Sequence, residues 1–181
     1  MTLKSRIFAS LIAMTAVLTL QSLAQAESPP KSILDEPLLW KDDRGEDVRL
    51  SKWSGTRVVI TMSYTRCTKL CNTLTLKELK EIQARFDEKG EKAEFVIITF
   101  DPENDTPGEL AAYRKRMNIT APNWHYLVGS KEDTRKISGL LGLDGFWNMD
   151  DHFIHDFRIL ILNPSGQIEH VLDWKHRKVD F

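Results

Sequence analysis

The chain holds two cysteines, Cys67 and Cys71, in the stretch Ser63-Tyr64-Thr65-Arg66-Cys67-Thr68-Lys69-Leu70-Cys71-Asn72. They fall where a β-branched run gives way to a helical pattern. On or near a first helical turn, the i, i+4 spacing turns both side chains to one face, with Cα atoms about 6 Å apart. Sulfurs that close can join as a disulfide or grip a soft metal ion. Both options want an exposed junction where a helix N-terminus favours thiolate over thiol. An inert bridge or a buried structural pair is the alternative, and a strand-to-helix position outside any apolar run speaks against it. Arg66 and Lys69 would favour thiolate by Coulomb attraction, unless they are simply solvated surface charges.

Such chemistry needs a compartment and a scaffold. Lys4 and Arg6 precede an apolar stretch from Ile7 to Leu20, and Ala24-Gln25-Ala26 is a small-x-small cleavage site, so residues 1–26 are expected to be a cleaved secretory signal peptide. The apolar run is shorter than the ~20 residues of a membrane span, so no membrane insertion is expected after cleavage. Residues 27–36, with Pro29-Pro30, read as a linker, 37–176 as one domain and 177–181 as a tail. Removing the leader's two positive charges takes the net charge from −1 to −3, which argues against nucleic acid or an anionic membrane surface as partner. An exported chain with only two cysteines is no disulfide-stapled scaffold, so the pair is assigned to chemistry rather than to holding the fold. A monomer is the default expectation.

The pattern of elements supplies the scaffold. Leu38–Lys41 and Asp47–Leu50 flank the turn Asp42-Asp43-Arg44-Gly45 and predict a small hairpin ahead of the main sheet. Arg57–Tyr64 predicts a strand covered on both faces. Leu70, Leu74, Leu79, Ile82 and Phe86 recur at helical spacing up to about Lys89, before Gly90. Glu94–Phe100 is the second core strand. Thr106-Pro107-Gly108-Glu109 starts a helix running to about Met117. A strand near His125–Val128 follows, then a helix capped by Ser130. Gly139, Gly142 and Gly145 are expected to loosen its end and open a loop holding Trp147, Met149, Asp150, Asp151, His152 and His155. Phe157–Leu162 and Gln167–Asp173 close the chain as a hairpin. The order β-α-β-α-β-α-β-β places the cysteine loop at the carboxyl end of a central strand, where α/β sheets favour ligands. The expected class is α/β, a thioredoxin-like fold with an N-terminal β-hairpin extension and a shortened C-terminus.

With those residues in view, the chain resembles the Sco/SenC family of copper-binding, thioredoxin-fold proteins. Ser-Tyr-Thr-x-Cys-x-x-x-Cys at Ser63–Cys71 is one matching motif, and Asp101-Pro102-Glu103-Asn104-Asp105-Thr106-Pro107 is similar to the family's Asp-Pro-x-x-Asp-Thr-Pro segment. Trp124–Gly129 resembles its Trp-x-x-Leu-x-Gly, and His155 precedes Pro164 and Gly166 at the family's spacing. The resemblance implies that Cys67, Cys71 and His155 bind copper, Cu(I), Cu(II) or both, that the two thiols can cycle to a disulfide, and that Asp101 supports the site. It implies a periplasmic chaperone for respiratory cytochrome oxidase, with an oxidase subunit or another copper or thiol client as partner. Thr68 and Asn72 stand where the family usually has proline after each cysteine, which puts loop stiffness and copper affinity in question. Only Trp174–Phe181 follows the last strand, where relatives commonly close with a helix.

Two thiolates and an imidazole suit copper, soft sulfur selecting Cu(I) and nitrogen admitting Cu(II). A closed zinc site wants a fourth protein ligand, and no third cysteine exists to supply it. His152 is the first candidate for a fourth or transient ligand, ahead of Met149. The alternative function is a thiol-disulfide oxidoreductase that keeps client cysteines reduced, with Cys67 as attacking thiol and Cys71 as its redox partner. Peroxidase chemistry ranks third.

Overall fold

The structure is a computed structural model that describes residues 32–67, 70–143, 145–147 and 153–173, with the backbone alone at 70–72, 146–147 and 153–155. In chain order the described elements are β1 (Trp40–Asp42), β2 (Asp47–Val48), β3 (Arg57–Ser63), α1 (Leu70–Lys89), β4 (Ala93–Thr99), α2 (Pro107–Arg116), β5 (Trp124–Val128), α3 (Lys131–Leu141), β6 (Gly145–Trp147), β7 (Phe153–His155), β8 (Arg158–Leu162) and β9 (Ile168–Asp173). Short 3-10 turns occupy Ile33–Asp35 and Leu50–Trp53. Seven strands form one sheet in the order β2-β1-β5-β4-β3-β8-β9. β3, β4 and β5 run parallel, and β8 and β1 flank them antiparallel. The chain has the thioredoxin-like α/β architecture that its element order predicts.

β3 is the axis of the sheet because its five inner positions are all buried. Alternation along the strand sends Val58, Ile60 and Met62 to one apolar layer and Val59 to the other. The first layer is closed by Ile137 and Leu141 of α3 with Leu34, Leu50 and Trp53 from the amino-terminal turns. The second is closed by Leu79, Ile82 and Phe86 of α1 and Leu110 and Tyr113 of α2. Helices therefore cover both faces, and the sheet must read as a continuous apolar run rather than an alternating one.

Helix boundaries follow local chemistry. Thr106 Oγ1 accepts from the Glu109 amide with Pro107 in the first turn, and Ser130 Oγ accepts from the Asp133 amide. Gly90 and Gly142 take the left-handed conformation after α1 and α3, at φ +67° and +63°.

Three features depart from the sequence reading. The hairpin β1–β2 is an edge of the main sheet, since Lys41 pairs with Val128 of β5. Residues 32–36, at the end of the expected linker, pack into the domain: Leu34 is buried and Ser32 Oγ donates to the Gly166 carbonyl. The segment after α3 is more than a loop, because β6 and β7 pair as a ribbon, Gly145 opposite His155 and Trp147 opposite Phe153. The glycines at 139, 142 and 145 mask so short a pairing, which has no alternation long enough to read. Residues 1–31, with the signal-peptide expectation, and 174–181, with Trp174 and His176, lie outside the described residues.

One close approach fixes the junction of β5 and α3. A Cβ at Gly129 would stand 2.6 Å from the ring of the fully buried Trp40. Gly129→Ala is expected to cost about 1–3 kcal/mol, as overpacked cores do. A shift of the urea midpoint at unchanged slope measures it, and an unchanged midpoint would show that Trp40 gives way freely.

Candidate functional site

The chain leaves β3 at Ser63 and turns at once, with the Cys67 amide donating to the Tyr64 carbonyl at 3.3 Å. β4 ends beside it, and the Phe100 amide donates to the Ser63 carbonyl at 2.9 Å. Parallel pairing in register therefore releases the turn 64–67 and the loop 100–106 from the same edge, side by side. Tyr64 and Phe100 stay in the core, while Cys67 is half-buried against the α3-side layer.

Two carboxylates of the second loop hold the turn of the first. Asp105, with no exposed surface, accepts the Thr65 amide on Oδ2 at 3.0 Å and the hydroxyls of Thr65 and Thr99. Asp101 Oδ2 accepts both Nε and Nη2 of Arg66, at 2.9 and 2.7 Å. Its Oδ1 accepts Asn104 Nδ2 at 2.8 Å, and its own amide donates to Thr99 Oγ1 at 2.9 Å. The residues at 65 and 66, directly ahead of Cys67, are each tied to an aspartate. Arg66 is thus directed to Asp101, which shares the positive charge that the sequence reading aimed at the thiols. Lys69 lies outside the described residues.

Burial pushes the Asp105 carboxyl above its ordinary value, against the bonds from Thr65 and Thr99 and with a push from Asp101. Burial also raises Tyr113 to about 12; Arg116 opposes that shift, and Cys67 and Asp105 add to it. Tyr126 beside it is raised further by burial. Both phenols are therefore neutral O–H groups at the floor of the turn. With Thr65, Thr99 and Asp105 they line a cavity of about 10 Å³, the size of one water.

The predicted site residues fall as follows. Cys67 lies in the turn, and Cys71 is the second residue of α1. The first turn of α1 holds no acidic residue. Asp101 stands at this rim, bound to the turn through Arg66. His155 ends β7, three residues ahead of Arg158. β8 starts at the carboxyl end of β3, and Thr61 Oγ1 donates to the Arg158 carbonyl at 2.6 Å. His155, paired with Gly145 in the ribbon, therefore precedes by three residues the strand that enters the main sheet at the end where Cys67 leaves it. The side chains of Cys71, Asn72 and His155, and Thr68, Met149 and His152 entirely, lie outside the described residues. His125 is engaged elsewhere, 2.7 Å from Glu94 and against the Trp53 ring. His170 lies on β9, away from this rim.

Sequence reasoning gave Asp105 no role. It stands in the quoted Asp-Pro-x-x-Asp-Thr-Pro segment next to a helix cap, but its hold on Thr65 exists only once β3 and β4 are paired.

Residues 26–180 match the model of the SCO1/SenC family. The SCO1 protein homolog of Bacillus subtilis is 24% identical over 138 residues, covering 74% of this chain and 70% of the relative. Copper-bound ScoI of Arabidopsis thaliana superposes with a TM-score of 0.69 at 20% identity, over 79% of this chain and 89% of that one. BsSco, described for a disulfide switch and as a member of the Sco family of cytochrome c oxidase assembly proteins, gives 0.67 at 19% identity, over 82% and 87%.

The Asp105 shift predicts a pH dependence. Above 3.8 the unfolded chain releases this proton while the folded one keeps it, so the group's contribution makes stability fall as pH rises through that window. Asp105→Asn removes that term. The stability of the variant relative to the parent should rise between acid and neutral pH, measured as the difference in Tm across a pH series. A difference that falls with pH would contradict the upward shift.

Proposed function

This chain belongs to the SCO1/SenC family, and from that premise we propose that it is an exported copper chaperone that loads a respiratory cytochrome oxidase, acting at its CuA-type centre. Copper is its cargo. Cys67, Cys71 and His155 are the proposed ligands, and Asp101 supports them through Arg66. The chemistry of the donor set fits: two thiolates hold Cu(I), and the imidazole admits Cu(II) to the same residues.

The single observation that carries the reading is the rim itself. A half-buried thiol sits in a braced turn at the carboxyl end of a central strand, where ligand sites of α/β sheets lie. Copper-bound relatives of the same fold support the choice of metal. No helix among the described residues is long and apolar enough to cross a membrane. The periplasm, reached by way of the signal peptide, is the proposed location.

The disulfide switch described for BsSco favours a second use of the same thiols. Joining Cys67 and Cys71 would pass two electrons and two protons to an oxidant such as a client disulfide, and the oxidised pair could no longer hold Cu(I). Loading would then be gated by redox state, and a chain that never binds copper would remain a thiol-disulfide oxidoreductase.

Titration of the reduced mature protein separates the two. About one equivalent of Cu(I) should bind, and Cu(II) should give a thiolate-to-copper charge-transfer band. Cys67→Ser with Cys71→Ser should abolish both. His155→Ala should lose the Cu(II) band and keep disulfide exchange. Stoichiometric Cu(I) binding by the double variant would overturn the thiol assignment, and an unchanged band in His155→Ala would overturn the histidine.

A further inference from the structure

We propose that Asp105 is the positioning residue of the thiol turn: its buried carboxylate fixes Thr65, two residues ahead of Cys67, and thereby sets where that sulfur stands. The inference deepens the reading above and rests on it for the identity of Cys67 as a working thiol.

The geometry has three parts. Asp105 grips Thr65 at two points, Oδ2 on the amide and Oδ1 on the hydroxyl, so both position and orientation of that residue are set. A third bond, from the Thr99 hydroxyl to Oδ2, ties the assembly to the last residue of β4. The Asp105 amide donates to the Asp101 carbonyl at 2.9 Å, so the carboxylate is itself placed by the loop that ends in the α2 cap. The turn is thereby anchored to the neighbouring strand and helix, beyond what its own 3.3 Å turn bond could hold.

The other brace works differently. Arg66 is 41% exposed, and its pair with Asp101 reaches solvent, where screening and side-chain freedom weaken it. Asp105 is wholly enclosed, and the bonds it accepts come from neutral donors. Burying a carboxylate among hydroxyls is an expensive way to hold a turn. Packing does not fill the floor beneath Thr65, where a water-sized cavity of about 10 Å³ lies between Thr65, Tyr113 and Tyr126. Asparagine can reproduce the whole set of bonds, its oxygen accepting the Thr65 amide and Thr99 hydroxyl while its amide donates to the Thr65 hydroxyl. Alanine can reproduce none.

The test reads Cys67 without any metal, so its failure is separate from a failure of the copper assignment. In a Cys71→Ser background Cys67 is the single thiol, and its rate of alkylation by iodoacetamide is measured on the folded protein at neutral pH. Asp105→Ala should change that rate by about fivefold or more, the factor that losing one net hydrogen bond corresponds to. Asp105→Asn should stay within about twofold of the parent. Phe86→Leu, a core change near the other end of α1, serves as a control for general destabilisation and should leave the rate unaltered. A parental rate in Asp105→Ala would overturn the proposal, as would Asp105→Asn behaving like the alanine variant or Phe86→Leu matching it.

Discussion

Enclosing the Asp105 carboxylate costs the fold the hydration of a charge, and three donors from Thr65 and Thr99 offset that cost only while two loops keep their relative places. Those places are set by the ladder between β3 and β4, whose register from Arg57 opposite Ala93 to Ser63 opposite Thr99 releases both chains at one level. A slip along that ladder would strand the carboxylate among apolar neighbours. The polar cluster and the strand pairing therefore specify each other, and the thiol turn inherits its position from both.

The apolar layers make this possible. α1 and α2 on one face and α3 with the amino-terminal turns on the other leave the parallel strands no exposed side, so the exposed chemistry collects at the strand ends. The rim that results brings the turn after β3 and the acidic loop after β4 together, and β8 starts at the same end of the sheet. Gly142 anchors the entry to the β6–β7 ribbon. It adopts φ +63° where a Cβ would stand 2.0 Å from Arg158 Nη1, and Arg158 begins the strand by which the ribbon returns.

Much of this was legible in residue order. The strand Arg57–Ser63, the helix ending before Gly90, and the caps at Thr106 and Ser130 declare themselves because each depends on residues within a few positions of one another. Cys67 and Asp101, singled out by type and motif, fall at one end of the sheet. The rest depends on contacts that only the sheet creates. Arg66 looks like free positive charge beside a thiol until Asp101, thirty-five positions on, comes within 2.7 Å. Asp105 belongs to a motif, but its hold on Thr65, forty positions away, shows only in the fold. The ribbon β6–β7 hides behind glycines, since three-residue strands carry no periodicity. Cys67 lies in the turn before α1 and Cys71 is the second residue of that helix.

The claim that the acidic loop holds the thiol turn is tested most directly by hydrogen exchange at the Thr65 amide. That amide sits in a short turn at the protein's rim, yet it donates to an enclosed carboxylate. It should exchange as slowly as the interior amides of β3, and Asp105→Ala should release it. Exchange in the parent at the rate of an open turn would contradict the account.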